Sequence, residues 1–159
     1  MKSIILAAGQ GIRLKPLTNT VPKCMVKYES KCIIDYILDT MQTCGLEHSI
    51  VIDGYKKEEL EKHLHNKNIT FFTNTKYDST NMVYTLFCAQ PVMNEDIIIS
   101  YADIIYKPHV LQALINSPAE ISCIVDNKWK ELWLQRMDNP LADAETMKLN
   151  PDKTIRELG

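Results

Sequence analysis

The sequence predicts an α/β fold with three layers, α/β/α, around a mostly parallel central sheet. Two observations predict it. Short runs that are apolar at consecutive positions alternate four times with stretches patterned as helices. Such runs read as strands buried on both faces, and their alternation with helices calls for crossover connections between parallel neighbours.

Residues 3–8 (SIILAA) form the first such run. Residues 33–44 carry Ile34, Ile37, Leu38 and Met41 on one helical stripe, with Gly45 placed to follow a helix end. SIVIDGY reads as a strand stopping at Gly54, KKEELEKHLHNK as a polar helix, ITFFT as a strand and NMVYTLFCAQ as a helix. DIIIS is a further buried strand. KPHVLQALINS opens with Pro108 in a first helical turn and continues with Val110, Leu111, Leu114 and Ile115. AEISCIVD reads as one more strand. The rhythm then breaks: residues 127–148 are rich in tryptophan, charge and turn formers and read as an insertion over one mouth of the sheet. The closing NPDKTIRELG reads as a turn that opens a new strand, so the chain is expected to be a catalytic domain cut short of its C-terminus.

The 159 residues suit one domain, and 45% apolar content is enough for a real core. A net charge of −2 without a Lys/Arg block argues against a nucleic-acid or anionic-membrane surface. The five cysteines are scattered without a Cys-x-x-Cys pair, which reads as reduced thiols rather than a disulfide or zinc framework. No signal-peptide pattern opens the chain, and the expected compartment is the cytoplasm.

In open parallel sheets, ligands sit beyond the carboxyl ends of the strands. Chemistry is therefore expected at residues 9–13, 53–55, 73–81, 102–103 and 126–133, with Asp53 and Gly54 among the nucleotide-binding candidates. In IILAAGQGIRLKPLTNTVPKCMV, the strand ends at Gly9 and Gly11, which allow φ > 0 and close approach of a ligand. Successive N–H groups in such a turn can bind phosphate oxygens. Arg13 can grip phosphates in a bidentate way, and Lys23 is a compact charge for a second phosphoryl group. Gly-x-Gly alone equally describes a tight turn with solvated cations; it is neither a dinucleotide fingerprint nor a P-loop. Asp103, at the end of DIIISYAD, suits either a Mg²⁺ ligand or a helix N-cap.

The longer pattern is more specific. Leu-Ala-Ala-Gly-x-Gly-x-Arg-Leu-x-Pro-Leu-Thr followed by Pro-Lys resembles the signature of the nucleotidyltransferases that activate sugar phosphates and related small phosphates. The resemblance implies a Rossmann-like, GT-A-like fold. It implies that Leu6, Ala7, Ala8 and Gly9 hold the base, that Gly11 and Arg13 hold the triphosphate, and that Lys23 sits by the α-phosphate. It also implies that Asp103 binds Mg²⁺, with a second metal ligand expected beyond the given chain.

KYDSTNMVYTLFCA lacks the Gln-Pro-x-Gly-like segment of the sugar-type relatives and resembles the phosphocholine cytidylyltransferase-like branch. Asn81 offers a donor and an acceptor to a pyrimidine edge, and Thr80 adds a hydroxyl; both also suit capping of the helix that follows. The segment with Asp126, Trp129, Trp133, Arg136 and Asn-Pro-Leu-x-Asp143-Ala-Glu145 extends the resemblance. Trp129 and Trp133 share a face on a helix and can wall in a cationic amine, Asp143 and Glu145 can pair with an ammonium, and Arg136 can bind a phosphate or carboxylate. The same side chains also suit structural packing of the insertion. SYADIIY, KYDSTNM and NPLADAETMKL look most like members that use phosphoglutamine in capsular phosphoramidate synthesis. The expected activity is therefore transfer of CMP from CTP to a small phosphorylated acceptor with Mg²⁺, phosphoglutamine first and phosphocholine or aminoethylphosphonate next. A sugar-1-phosphate nucleotidyltransferase and a non-catalytic nucleotide-binding module are the alternatives. No nucleic-acid or membrane partner is expected, and a homo-oligomer is left open.

Overall fold

Lys2–Leu6 (β1) is the strand the apolar run predicts, and it becomes the centre of the sheet because both its neighbours are parallel strands. The computed structural model describes residues 1–142 and 144–158. Two compact units divide the chain, Met1–Ser122 and Cys123–Gly159.

In the first unit, Ser49–Asp53 (β4), Ile69–Thr73 (β5) and Ile97–Tyr101 (β6) join β1 in a four-stranded sheet of order β5-β4-β1-β6, every pairing parallel. A small antiparallel hairpin, Lys27–Tyr28 (β2) with Lys31–Cys32 (β3), leads into the first helix, Ile33–Thr43 (α1). Lys57–Leu64 (α2), Met82–Phe87 (α3) and Pro108–Ile115 (α4) follow. Gly45, at φ 84°, closes α1 in the left-handed region, as its place in the sequence predicts.

Strand side chains alternate between faces. Ile5, Val51 and Ile98 therefore pack under α1, α2 and α4 with Ile34, Ile37, Met41, Leu60, Leu64 and Leu111. Ile4, Ile50 and Ile52 face the other way, against Leu86 of α3 and Ala89 beyond it. Each fully buried branched side chain contributes roughly 1.5–3 kcal/mol. Helices cover most of both faces, although Ile99 of β6 stays 45% exposed, and the carboxyl ends of the strands are left open.

In the second unit, Trp129–Leu134 (α5) precedes a hairpin of Met147–Leu149 (β7) and Ile155–Leu158 (β8). The expected strand at 119–126 does not form. Ile121 is 87% exposed and Val125 46%: the apolar composition suits a strand, but the segment joins no sheet. No helix among the described residues is long and apolar enough to cross a membrane. All five cysteines are free thiols; Cys24 and Cys32 are buried and Cys123 is exposed.

Candidate functional site

The carboxyl ends of β1 and β6 open into a cleft of about 280 Å³ within the first unit. Leu6, Ala7, Ala8, Gly9, Gly11 and Lys23 line one side; Tyr77, Thr80, Asn81, Met82 and Thr85 line another; Tyr101, Ala102 and Asp103 close it. The parallel register explains the convergence. Leu6 pairs with Tyr101, so the chain leaves both strands at the same level, and Ala102 donates its N–H to Leu6 O at 3.2 Å.

The turn after β1 is fixed from three directions. Gly11 sits at φ 63°, the left-handed region where a Cβ is strained, and a Cβ built there would lie 2.7 Å from Lys23 Cβ. Gly9, by contrast, is not in the left-handed region, so the expectation of φ > 0 holds at Gly11 alone; a Cβ on Gly9 would meet nothing within 4 Å. Fully buried Thr18 donates its hydroxyl to Gly11 O at 3.0 Å. The Tyr55 hydroxyl donates to Thr18 O at 2.9 Å, and Tyr55 N–H donates to Ala8 O at 3.1 Å. Neither Thr18 nor Tyr55 announces this in the sequence, because both act through backbone carbonyls brought close only by the fold.

Lys23 begins a short 3-10 helix, Lys23–Met25, after Pro22. Its ammonium forms an ion pair with Oδ2 of Asp103. Both side chains remain partly open to water, at 41% and 28%. Asp103 is not a helix cap: α4 starts later, at Pro108, with Lys107 at the N-cap position and no side-chain capping bond. Arg13 lies in the exposed 3-10 helix Ile12–Leu14 and does not line the cleft itself.

On the opposite wall, Asn81 caps α3, its Oδ1 accepting from Tyr84 N–H at 3.1 Å. The cap uses only the acceptor; Nδ2 has no hydrogen-bond partner among the described residues. Behind it, Asn74 is fully buried and organises the loop. Its Nδ2 donates to Thr80 Oγ1 at 3.0 Å and to Thr85 Oγ1 at 2.9 Å, and its Oδ1 accepts from Lys76 N–H at 2.9 Å. All the hydrogen-bonding atoms of this amide are engaged, which fixes where Thr80 and Asn81 stand.

Asp53 and Gly54 stand elsewhere than expected. Gly54 is behind the lining, where a Cβ would sit 2.9 Å from Tyr77 Cβ and 3.0 Å from Ala8 Cβ; its lack of a side chain lets Tyr77 reach the cleft wall. Asp53 points to the α2 face, fully buried, and neither carboxylate oxygen has a hydrogen bond among the described residues. The reason is strand alternation: Ile52 faces α3, so Asp53 faces α2. Desolvation pushes the carboxyl up to about 6, against the opposing pull of Thr73, with Glu61 adding to the rise and Lys57 opposing it. A raised carboxyl favours the folded state at low pH, and that stability is lost as pH climbs from the ordinary carboxylate range through about 6. The swing is at most roughly 3 kcal/mol. Asp53→Asn is expected to remove it, lifting the denaturation midpoint at pH 8 by several degrees with little change at pH 4. Parallel pH–stability curves for the two proteins would contradict this placement.

In the second unit, Trp129 and Trp133 lie on α5, both half-buried. The Arg136 guanidinium lies over the Trp133 ring, its Cζ 5.1 Å from the centroid, within cation–π range. Glu145 is exposed, and Asp143 lies outside the described residues.

Comparison with known proteins bears on this arrangement. A family model described as nucleotidyl transferase matches residues 2–128. The chain is 47% identical over 166 residues to CTP:phosphoglutamine cytidylyltransferase of Campylobacter jejuni, covering 100% of this chain and 65% of that protein. It is 32% identical to choline-phosphate cytidylyltransferase of Streptococcus pneumoniae, over 67% of this chain and 47% of that protein. The solved structure of an inositol-1-phosphate CTP transferase from T. maritima superposes with a TM-score of 0.74 at 21% identity, over 99% of this chain and 63% of that one, which shows the shared fold. The chain thus spans about half to two thirds of the length of the curated relatives it matches.

Proposed function

The chain belongs to the nucleotidyl transferase family, and from that premise we propose that it transfers CMP from CTP to a small phosphorylated acceptor, phosphoglutamine foremost, releasing pyrophosphate. The observation that carries the reading is the meeting of Lys23 and Asp103 at the mouth of a cleft whose far wall presents Thr80 and Asn81. One end is built for phosphates and the other for a base. The name of the C. jejuni relative supports phosphoglutamine as acceptor; a place in capsular surface-polysaccharide modification belongs to the same proposal and rests on the sequence resemblance.

In this reading an acceptor phosphate oxygen attacks the α-phosphorus of CTP in line; the new P–O bond forms as the bond to the β-phosphate oxygen breaks. No strong general base is needed, because the acceptor phosphate is already anionic at neutral pH. Backbone N–H groups of residues 9–11 receive the triphosphate, Lys23 stabilises the α-phosphoryl group, and Arg13 stabilises the leaving pyrophosphate. Nucleotidyltransferases in general use a divalent metal ion. Asp103, a partly exposed carboxylate on the cleft, has the hard oxygen donors that fit Mg²⁺, which would neutralise phosphate charge when bound. In this reading Leu6, Ala7 and Ala8 supply an apolar floor for the base, and Asn81 Nδ2 donates to a pyrimidine edge while Oδ1 keeps the helix capped. Trp129, Trp133, Arg136, Asp143 and Glu145 are assigned to the acceptor, with the Arg136 guanidinium over the Trp133 ring. Five free thiols and the supply of CTP both suit a cytoplasmic setting.

Pyrophosphate release by the full-length gene product tests the reading, with CTP, UTP and dTTP each offered phosphoglutamine, phosphocholine, aminoethylphosphonate and a sugar 1-phosphate. Turnover with CTP and phosphoglutamine is expected. Turnover confined to UTP or dTTP with a sugar phosphate would replace it, and CTP binding without turnover on any acceptor would leave a binding module. Asn81→Asp gives a finer check, since it keeps the capping acceptor and removes the donor. Its stability is expected to stay within about 0.5 kcal/mol of wild type while CTP affinity falls about tenfold. Unchanged affinity would remove Asn81 from base recognition.

A further inference from the structure

Away from the cleft, Cys32, Asp35 and His63 bring a thiol, a carboxylate and an imidazole together, with one donor atom from each lying within 4.8 Å of the others. We propose that these three side chains form a second metal site, of zinc type, that ties the start of α1 to the end of α2. The proposal is independent of the nucleotidyl-transfer reading, because none of the three lines the cleft.

The fold brings the donors from three places. Cys32 ends β3 and caps α1, Asp35 lies in the first turn of α1, and His63 lies in the last turn of α2. His63 Nε2 is 3.0 Å from both Asp35 carboxylate oxygens. Around a tetrahedral zinc ion, with bonds of about 2.0–2.3 Å, neighbouring donors stand about 3.3–3.6 Å apart. The cluster is therefore within about an ångström of that shape. Cys32 is only 7% exposed, while the Asp35 and His63 side chains are 18% and 30% exposed. The soft donor thus sits at the back and the harder donors at the rim, leaving water access to a fourth position.

Donor chemistry selects the ion. Thiolate and imidazole favour zinc-like cations over Mg²⁺, whereas Asp103 offers oxygen alone. On binding, the Cys32 thiol gives its proton to solvent, and one thiolate with one carboxylate balances the dication. Mechanically the clamp would act close to the Lys23 turn, since Ile33 at the start of α1 donates its N–H to Val26 O at 3.1 Å, just beyond Lys23–Met25.

The test is a titration of the purified, metal-free, reduced protein with Co²⁺, followed by absorption and competed with Zn²⁺. One equivalent is expected to produce thiolate-to-cobalt charge transfer with tetrahedral visible bands, both erased by Zn²⁺. Cys32→Ser is expected to abolish the charge-transfer band, His63→Gln to weaken binding at least about tenfold, and Cys123→Ser to leave both intact. No charge transfer at one equivalent, or a band that survives in Cys32→Ser, overturns the proposal and leaves Asp35 and His63 as an ordinary ion pair. Should Cys32→Ser fail to fold, the surface variant His63→Gln decides, and an undiminished affinity there refutes the site.

Discussion

Replacing Lys23 with alanine is expected to cut CMP transfer on the order of 10²–10³-fold while leaving the protein folded. The size follows from what the side chain would do: an ammonium placed against the α-phosphoryl group stabilises charge that develops in the transition state, in a cleft partly shielded from water. The survival of the fold follows from the structure. The partner carboxylate, Asp103, keeps 28% of its side-chain surface open, so losing the ion pair leaves a carboxylate that water can solvate. Partly exposed pairs of this kind contribute about 1 kcal/mol or less. Lys23→Arg is not expected to rescue fully, since a planar fork does not reproduce a compact point charge aimed at the α-phosphoryl group. Pyrophosphate release at saturating CTP, paired with a thermal melt, makes the check; a folded Lys23→Ala protein with near-normal turnover removes Lys23 from the chemistry.

The two glycines of the turn are expected to fail in different ways. Gly11→Ala forces a side chain into the left-handed region, at a cost of roughly 1–2 kcal/mol, and drives its Cβ to 2.7 Å from Lys23 Cβ. The neighbour here is the root of a side chain on a 3-10 helix, not its flexible end, so Lys23 itself must be displaced. Loss of both stability and turnover is expected, the latter by about 10²-fold or more. Gly9→Ala meets nothing within 4 Å and should melt with wild type; because Gly9 lines the cleft, its methyl is expected, on the proposed function, to crowd a bound nucleotide, so CTP affinity should fall without a change in midpoint. Melting curves with and without CTP separate the two cases. A Gly9→Ala protein that binds CTP normally, or a Gly11→Ala protein indistinguishable from wild type, contradicts this account of the turn.

Much of this was legible in the sequence, for identifiable reasons. The parallel strands announce themselves as unbroken apolar runs, and the pattern from Leu6 to Lys23 carries the resemblance to the family whose model matches residues 2–128. Other features depend on contacts that no local pattern encodes. Lys23 and Asp103 pair only because β1 and β6 are parallel neighbours in register. Asn74 looks like any loop asparagine, and its grip on Thr80 and Thr85 exists only once β5 delivers it to the interior. Asp53 stands at a strand end as predicted, but strand-end position does not say which face a side chain takes, and alternation turned it under α2. The segment at 119–126 has a strand-like composition and no strand, since composition alone does not set which segments pair.

The central claim is that Lys23 and the turn from Gly9 to Gly11 receive the triphosphate of a cytidine nucleotide, with Asp103 released from its ion pair as they do so. A crystal structure with a non-hydrolysable CTP analogue and Mg²⁺ measures this directly. The account predicts the triphosphate against the backbone of residues 9–11, the Lys23 ammonium moved from Asp103 onto phosphate oxygen, and the cytosine beside Thr80 and Asn81. An analogue bound elsewhere, or one lying in the cleft while Lys23 still pairs with Asp103 and touches no phosphate, would contradict it.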